Sequence, residues 1–177
     1  MSNIEYELRI LEINQQKIIE QLNKLGATKK GEYFFRRHVF ETIPDVKGRW
    51  VRLRTDGTTT TLTVKQIDSD EVDGTTEWET TVDDFDETLT ILNKIGLKSK
   101  GYQENKRIEY VLNGTQVCLD TWPSIPQYME VEGESEEMVI KCLESLGFNK
   151  DDSTGMNTEK IYQKYGINIA KNANLSF

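Results

Sequence analysis

The sequence contains few of the residues that build disulfide frameworks, metal-ligand pairs or histidine-based catalytic sites. It has 2 cysteines, Cys118 and Cys142, and 1 histidine, His38, among 177 residues. Two cysteines at this separation give neither a disulfide framework nor the spacing of metal ligands. His38 falls in a predicted strand, where we expect a structural or surface residue and not a catalyst. The chemistry must therefore come from other polar residues.

Long apolar runs and a positive charge balance are also missing. No run approaches the roughly 20 apolar residues that a membrane span needs, and Met1-Ser2-Asn3 lacks the basic and apolar regions of a signal peptide. We therefore expect a cytoplasmic protein without membrane partners. The net charge of -8 provides no overall positive field for phosphate backbones, so we expect no nucleic-acid partner.

The chain length fits one domain with a substantial core. An internal repeat lies within it. Leu22-Asn23-Lys24-Leu25-Gly26 returns 70 positions later as Leu92-Asn93-Lys94-Ile95-Gly96, and Arg36-Arg37 returns as Lys106-Arg107. We expect a single domain over 1–177, built of two related halves (about 1–70 and 71–150) and a C-terminal tail. The tail is predicted to hold a short helix around Thr158 to Tyr165, and Asp68 to Gly74 is predicted to be a mobile acidic loop.

Charged residues alternate with apolar ones as they do along strands. In Glu5-Tyr6-Glu7-Leu8-Arg9 the three charged side chains share one face of a strand, and the apolar side chains share the other. Glu77-Trp78-Glu79 and Glu130-Val131-Glu132 repeat the Glu-apolar-Glu pattern, while Arg52 and Arg54 share a face on another strand. Strands are predicted near residues 4–11, 33–41, 49–55, 59–66, 76–82, 103–112, 115–121 and 128–132.

About eight strands is the number at which a sheet closes into a small barrel. Three amphipathic helices, near 15–25, 85–95 and 136–146, can cover the apolar strand faces from outside. The charged faces must then point inward. The predicted fold is α+β, an eight-stranded antiparallel closed β-barrel with a charged interior and helices packed outside. The alternative is an open sheet with one wet face and ordinary cross-strand ion pairs.

A charged interior makes sense around a ligand and its ions, because buried like charges are costly unless they are paired or bind metal. Carboxylate clusters bind hard cations such as Mg²⁺ or Mn²⁺, and clustered basic side chains bind phosphate oxygens. The pattern therefore indicates a site for a polyphosphate-metal complex. The inward carboxylates are Glu5, Glu7, Glu77, Glu79, Glu130 and Glu132, and the inward basic residues are Arg9, Arg52, Arg54, Lys65 and Arg107.

The ordered set of motifs resembles the CYTH, or triphosphate tunnel metalloenzyme, family over nearly the whole chain. This family is named for class IV adenylate cyclase and thiamine triphosphatase. Glu5 to Arg9 resembles its Glu-x-Glu-x-Lys signature, Trp50 to Arg54 its Leu-Arg-x-Arg strand, and Thr61 to Lys65 its Leu-Thr-x-Lys strand. Glu77-Trp78-Glu79, Lys106-Arg107, Val117 to Asp120 and Met129 to Gly133 follow in the family's order. Two departures are Arg9 in place of lysine and Val39-Phe40-Glu41 in place of a common Tyr-x-Asp element.

The resemblance implies a tunnel that binds a small-molecule triphosphate together with Mg²⁺ or Mn²⁺. It assigns metal binding to Glu5, Glu7, Asp120, Glu130 and Glu132. It assigns triphosphate binding to Arg9, Arg37, Arg52, Arg54, Lys65, Lys106 and Arg107, and catalysis to Arg9, Lys65, Glu77 and Glu79. The expected reaction is hydrolysis of tripolyphosphate or of a nucleoside or thiamine triphosphate. A class IV adenylate cyclase and a non-catalytic nucleotide or polyphosphate binder are the alternatives, in a monomer or homodimer.

Overall fold

The computed structural model describes residues 4–169 and 174–177 and contains one closed barrel. The strands are β1 (Ile4–Ile10), β2 (Thr28–Glu41), β3 (Arg49–Thr55), β4 (Thr60–Ile67), β5 (Thr75–Val82), β6 (Ser99–Leu112), β7 (Thr115–Thr121) and β8 (Tyr128–Gly133). They pair antiparallel in the order β1-β5-β4-β3-β2-β6-β7-β8, and β8 closes on β1. The prediction of an eight-stranded closed barrel is confirmed.

Strands β2 and β6 begin earlier than the sequence pattern predicts. They pair with each other from Thr28 opposite Val111 to Phe40 opposite Ser99. The alternation of apolar and polar residues that predicts a strand is interrupted at the start of β2, where the pairing with β6 shifts register between Lys29 and Gly31. The long pair forms the wall that joins the two halves of the chain.

Strand register decides which side chains share the barrel interior, since alternate residues face opposite sides. Arg9 lies opposite Glu130, and Arg107 lies opposite Asp120. On the other side, Arg37 of β2 lies opposite Arg54 of β3. The charged faces predicted from the alternation therefore meet inside the barrel.

Three helices cover the apolar outer faces, as predicted. They are α1 (Gln15–Lys24), α2 (Phe85–Lys94) and α3 (Glu136–Ser145). Their N-caps are Asn14, Asp84 and Ser135, and each cap side chain accepts a hydrogen bond from a first-turn backbone N–H. Helices α1 and α3 pack in the largest core with β1, β6, β7 and β8, and α2 packs against β2, β3 and β4. Within the described ranges, no helix is both long and apolar enough to cross a membrane.

The tail forms the predicted short helix, α4 (Thr158–Lys164), at the end of the barrel where β1 and β7 finish. Arg9 and Thr154 exchange backbone hydrogen bonds of 2.8 and 2.9 Å. Ile161 and Tyr162 of α4 are fully buried in a small core with Trp122. The tail is thus part of the folded domain.

The prediction of a mobile loop at Asp68 to Gly74 is wrong. Val72 is only 4% exposed and packs in the largest core. Its carbonyl accepts a 2.9 Å hydrogen bond from the Glu7 backbone N–H, and Asp70 forms an ion pair with Lys160 of α4 at 2.5 Å. The acidic composition of the loop concealed this one apolar anchor.

Candidate anion and metal site inside the barrel

Arg9 lies between two carboxylates on neighbouring strands. It donates to Glu7 Oε2 and to Glu130 Oε2, each at 2.8 Å, and to the Met156 carbonyl at 3.1 Å. Burial alone would lower the pKa of Arg9, but the charges of Glu7 and Glu130 raise it above its ordinary value. In this conformation, Arg9 is an ion-paired residue of the barrel wall.

Arg107 is held in a similar way by β7 and β8. Its Nε and Nη2 donate to the two oxygens of Asp120 at 2.9 and 2.6 Å, and Nη2 also donates to Glu130 Oε1 at 3.0 Å. Asp120 is 1% exposed. This bidentate, buried geometry is the strong form of an arginine–carboxylate pair.

Lys65 and Arg52 bind the glutamates of β1 and β5. Lys65 Nζ lies 2.8 Å from Glu5 Oε2 and 2.6 Å from Glu77 Oε2. Arg52 Nη2 lies 3.2 Å from Glu79 Oε2 and 3.4 Å from Glu77 Oε1. Burial opposes ionisation of Glu79, but the hydrogen bond from Thr63 and the charges of Arg52 and Arg54 lower its pKa. Glu79 therefore stays ionised.

Arg37 and Arg54 face each other without comparable carboxylate partners. Among the described residues, Arg37 makes no ion pair, and the carboxylate contact of Arg54 is a long 3.9 Å approach to Glu79. Burial, followed by the charges of Arg54, Arg52 and Arg107, lowers the pKa of Arg37 well below its ordinary value. Burial and the charges of Arg52 and Arg107 lower the pKa of Arg54 to about 9. This part of the interior is suited to an anion.

Glu132 is an inward carboxylate without a direct cation partner. Its side chain makes no hydrogen bond or ion pair with any residue that the structure describes. Burial and the neighbouring carboxylates Glu5, Glu130 and Glu7 raise its pKa to about 7. This part of the interior is suited to a cation.

The predicted site residues come together with one exception. Glu5, Glu7, Arg9, Arg37, Arg52, Arg54, Lys65, Glu77, Glu79, Arg107, Asp120, Glu130 and Glu132 share the inner face of the barrel. The prediction that Lys106 joins them is wrong, because it precedes Arg107 on the strand and faces outward. Lys106 is exposed and its Nζ lies 4.4 Å from the centre of the Phe177 ring.

Three further residues contact this network and were not predicted. Asn105 is fully buried and bridges Arg37 and Asp120. Thr63 is also fully buried and donates to Glu79 at 2.6 Å. Trp122 lies against Arg37. Asn105 and Thr63 each carry a signal in the sequence, a two-residue spacing from Arg107 and from Lys65. The position of Trp122 depends on a loop whose path the sequence pattern does not reveal.

The donor set fits a divalent cation chemically, although no group of three or more His, Cys, Asp or Glu side chains in the described ranges is gathered at ligand distances. Glu5, Glu7 and Glu130 are oxygen donors near Glu132, whose pKa is raised by burial and then by the charges of these three carboxylates. Carboxylate oxygens are the ligands that Mg²⁺ and Mn²⁺ prefer. Both oxygens of Asp120 are held by Arg107 and Asn105, and both oxygens of Glu130 are held by Arg9 and Arg107. Each of these two carboxylates would have to release an arginine to bind a metal.

The fold and the site together define a closed, charge-lined antiparallel barrel with an acidic side and an arginine side. The family model for the CYTH domain matches residues 3–152. The chain belongs to the CYTH domain family. The sequence resemblance is therefore confirmed. No curated protein matches the chain in sequence.

Solved structures show the same fold at low sequence identity. The PH1012 protein from Pyrococcus horikoshii is 19% identical with a TM-score of 0.78, covering 89% of this chain and 99% of that one. A protein from Vibrio parahaemolyticus, provisionally described as an adenylate cyclase, is 13% identical with a TM-score of 0.78, covering 92% and 99%. A protein from Hippeastrum is 16% identical with a TM-score of 0.61, covering 94% and 97%.

Proposed function

We propose that this protein binds a small-molecule triphosphate inside the barrel and hydrolyses one of its phosphoanhydride bonds with the help of Mg²⁺ or Mn²⁺. The observation that carries the proposal is the pairing of Arg37 with Arg54. A buried guanidinium such as that of Arg37 and a half-buried one such as that of Arg54 repel when they face each other, unless an anion lies near both. The Nε atoms of Arg37 and Arg52 are buried, and neither has a hydrogen-bond partner within the described ranges. Phosphate oxygens are well-matched acceptors for such groups.

The acidic side of the barrel explains why a metal accompanies the anion in this proposal. A triphosphate alone would bring further negative charge toward Glu132 and its neighbours. A divalent cation bound by Glu5, Glu7, Glu130 and Glu132 removes that conflict. Arg9 and Lys65 can then turn from these carboxylates toward phosphate oxygens without leaving unmatched charge in the interior.

Phosphoryl transfer depends mainly on positioning and charge stabilisation. In this proposal Arg37, Arg52 and Arg54 hold the phosphate oxygens on one side. When bound, the metal would supply charge neutralisation and lower the pKa of its bound water. Glu77 and Glu79 hold Lys65 and Arg52 in place, and the lowered pKa of Glu79 suits that role better than the role of a general base.

Two of the structural relatives carry descriptions that name a reaction. The Vibrio protein is provisionally described as an adenylate cyclase. The Hippeastrum protein is described in the same provisional way and as having a dominant triphosphatase activity. At 13% and 16% identity these likenesses show the fold alone. We favour hydrolysis, because it requires no base-specific pocket beyond the charged interior.

The test is a product analysis. Tripolyphosphate, ATP and thiamine triphosphate are each incubated with the protein and Mg²⁺ or Mn²⁺, and all products are separated and identified. The proposal expects inorganic phosphate and the corresponding diphosphate, with activity lost in Arg54→Ala and kept in the outward-facing control Lys106→Ala. Cyclic AMP with pyrophosphate would instead establish a cyclase. Saturable binding without turnover would establish a binder.

A further inference from the structure

Arg37 is held by groups that carry no negative charge. Its Nη2 donates to Asn105 Oδ1, and its guanidinium carbon lies 4.7 Å from the centre of the Trp122 ring. Arg37 is 8% exposed and Trp122 is 4% exposed. An amide oxygen and an aromatic face can fix a guanidinium in place, but neither neutralises it. No described carboxylate forms an ion pair with Arg37, so its guanidinium is available to an anionic ligand.

The orientation of the Asn105 amide is determined by its other end. Asn105 Nδ2 donates to Asp120 Oδ1 at 3.1 Å, and Asp120 is itself held by Arg107. A flipped amide would place two acceptor oxygens together, so Asn105 Oδ1 must face Arg37. One side of the guanidinium is thus anchored through the barrel wall.

Trp122 is anchored by the C-terminal helix α4. The Tyr162 ring meets the Trp122 ring edge-on, with centres 6.2 Å apart and planes at 83°. The Tyr162 hydroxyl donates to the Pro123 carbonyl at 2.7 Å, which ties the backbone next to Trp122 to the helix. Tyr162 is fully buried and lies beyond the residues that match the family model, 3–152.

We propose that Trp122 is a positioning residue that holds Arg37 toward the bound triphosphate, and that Tyr162 of α4 fixes Trp122 in this role. The inference rests on the proposed function, because it takes the phosphate chain as the anion that Arg37 binds. A guanidinium fixed in advance loses less freedom on binding than a mobile one. A carboxylate in place of the ring would compete with the phosphate for the same charge.

The first test compares Trp122→Phe with Trp122→Leu, using inorganic tripolyphosphate as the ligand in titration calorimetry. Both variants shrink the small core, so both should lower the melting temperature. Only Trp122→Leu removes the aromatic face, and we expect it to weaken binding roughly tenfold, while Trp122→Phe stays within about threefold of wild type. In turnover assays Trp122→Leu should raise KM with little change in kcat, because the lost contact stabilises the bound substrate and the transition state equally.

The second test compares the hydroxyl groups of Tyr162, within α4, and Tyr165, at the C-cap of α4. Tyr162→Phe removes the bond to Pro123 and should weaken tripolyphosphate binding by roughly threefold. Tyr165→Phe keeps the ring that packs against the small core and removes only a 2.9 Å hydrogen bond to Glu12, so it should leave binding unchanged. The comparison of Tyr162→Phe with Tyr165→Phe tests the positioning role even if Trp122→Leu does not fold.

The outcomes separate the two proposals. Wild-type binding with unchanged affinity in Trp122→Leu and Tyr162→Phe would overturn the positioning role and leave the proposed function intact. Equal losses in Trp122→Phe and Trp122→Leu would also overturn it, because they would follow from the damaged core alone. If the wild-type protein does not bind tripolyphosphate, the proposed function fails and the positioning role fails with it.

Discussion

Arg37 and Arg107 occupy corresponding places in the internal repeat but have opposite surroundings. They lie 70 positions apart, on the paired strands β2 and β6, and both face the interior. Arg107 lies opposite Asp120, whereas Arg37 lies opposite Arg54. Burial disfavours the charge of both. Asp120 and Glu130 nevertheless raise the pKa of Arg107, while Arg54 and Arg52 lower that of Arg37 further.

Under the proposed function, the two repeated strands β2 and β6 use their equivalent arginines for different purposes. In the second half, the arginine completes a buried ion pair that belongs to the protein. In the first half, the equivalent arginine makes no ion pair with any residue that the structure describes, and its guanidinium N–H groups can donate to an anionic ligand. If the proposed function holds, Arg107 contributes mainly to stability and Arg37 mainly to ligand binding, and mutation can distinguish these two roles.

The largest expected effect concerns the partner of Arg107. Asp120→Asn should destabilise the ligand-free protein by about 3–5 kcal/mol, because it leaves a buried guanidinium with too little countercharge. Urea unfolding measures the loss. A change below about 1 kcal/mol, no larger than that of an exposed surface pair, would mean that the Arg107 pair contributes little and that the contrast between the halves is overstated.

Arg37→Met and Arg54→Met should behave in the opposite way. Each removes a charge that has no close carboxylate partner among the described residues, the nearest being Glu79 at 3.9 Å from Arg54, so stability without ligand should be unchanged or higher. Tripolyphosphate affinity should fall by roughly ten- to a hundredfold, the value of a charge-assisted hydrogen bond. Titration calorimetry measures the tripolyphosphate affinity, and thermal unfolding of the same samples measures the stability without ligand. Lower stability with unchanged affinity would assign these arginines to the structure and not to the ligand.

Glu132→Gln tests the acidic side through its pH dependence. The folded-state pKa of Glu132 is about 7, above its ordinary 4.5, so the folded protein retains a proton that the unfolded chain releases between these values. Stability therefore falls as pH rises from about 4.5 to 7. Glu132→Gln should remove this fall, gaining about 2 kcal/mol at pH 8 and almost nothing near pH 4. The measurement is the free energy of unfolding in urea of wild type and Glu132→Gln from pH 4 to pH 8, with a chelator present to remove metal. If the two proteins showed the same dependence on pH, the pKa of Glu132 would not be raised.

The smallest effect is expected at Lys106. Because its side chain faces outward beside Phe177, Lys106→Ala should change tripolyphosphate affinity by less than about twofold, as expected of an exposed charge in water. Arg107→Ala, one position away, is the matched comparison and should lower stability. A large affinity loss in Lys106→Ala alone would place the anion on the outer face of β6.

The inner face was predictable wherever it depended on local alternation. Glu5, Arg52, Lys65 and Glu130 lie inside as expected, because side-chain direction repeats every two residues along a strand. Lys106-Arg107 shows the limit of reading a basic pair as a unit, since adjacent residues cannot share a face. The number of strands and the covering helices followed from the same patterns.

The sequence pattern could not predict which inward-facing charged residues lie opposite each other, because that depends on the register between strands that are distant in the sequence. Whether Arg37 meets a carboxylate or Arg54 is decided by the pairing of β2 with β3. Trp122 and Tyr162 come together only through the path of the tail. Val72 could not be recognised as a core residue, because the acidic residues around it are typical of a solvated loop.

A crystal structure with tripolyphosphate and Mn²⁺ tests the central contrast most directly, with anomalous scattering used to locate the metal. The account predicts phosphate oxygens within hydrogen-bond distance of Arg37 and Arg54, and a manganese peak among Glu5, Glu7, Glu130 and Glu132. An anion bound elsewhere, with Arg37 and Arg54 still uncontacted, would contradict it.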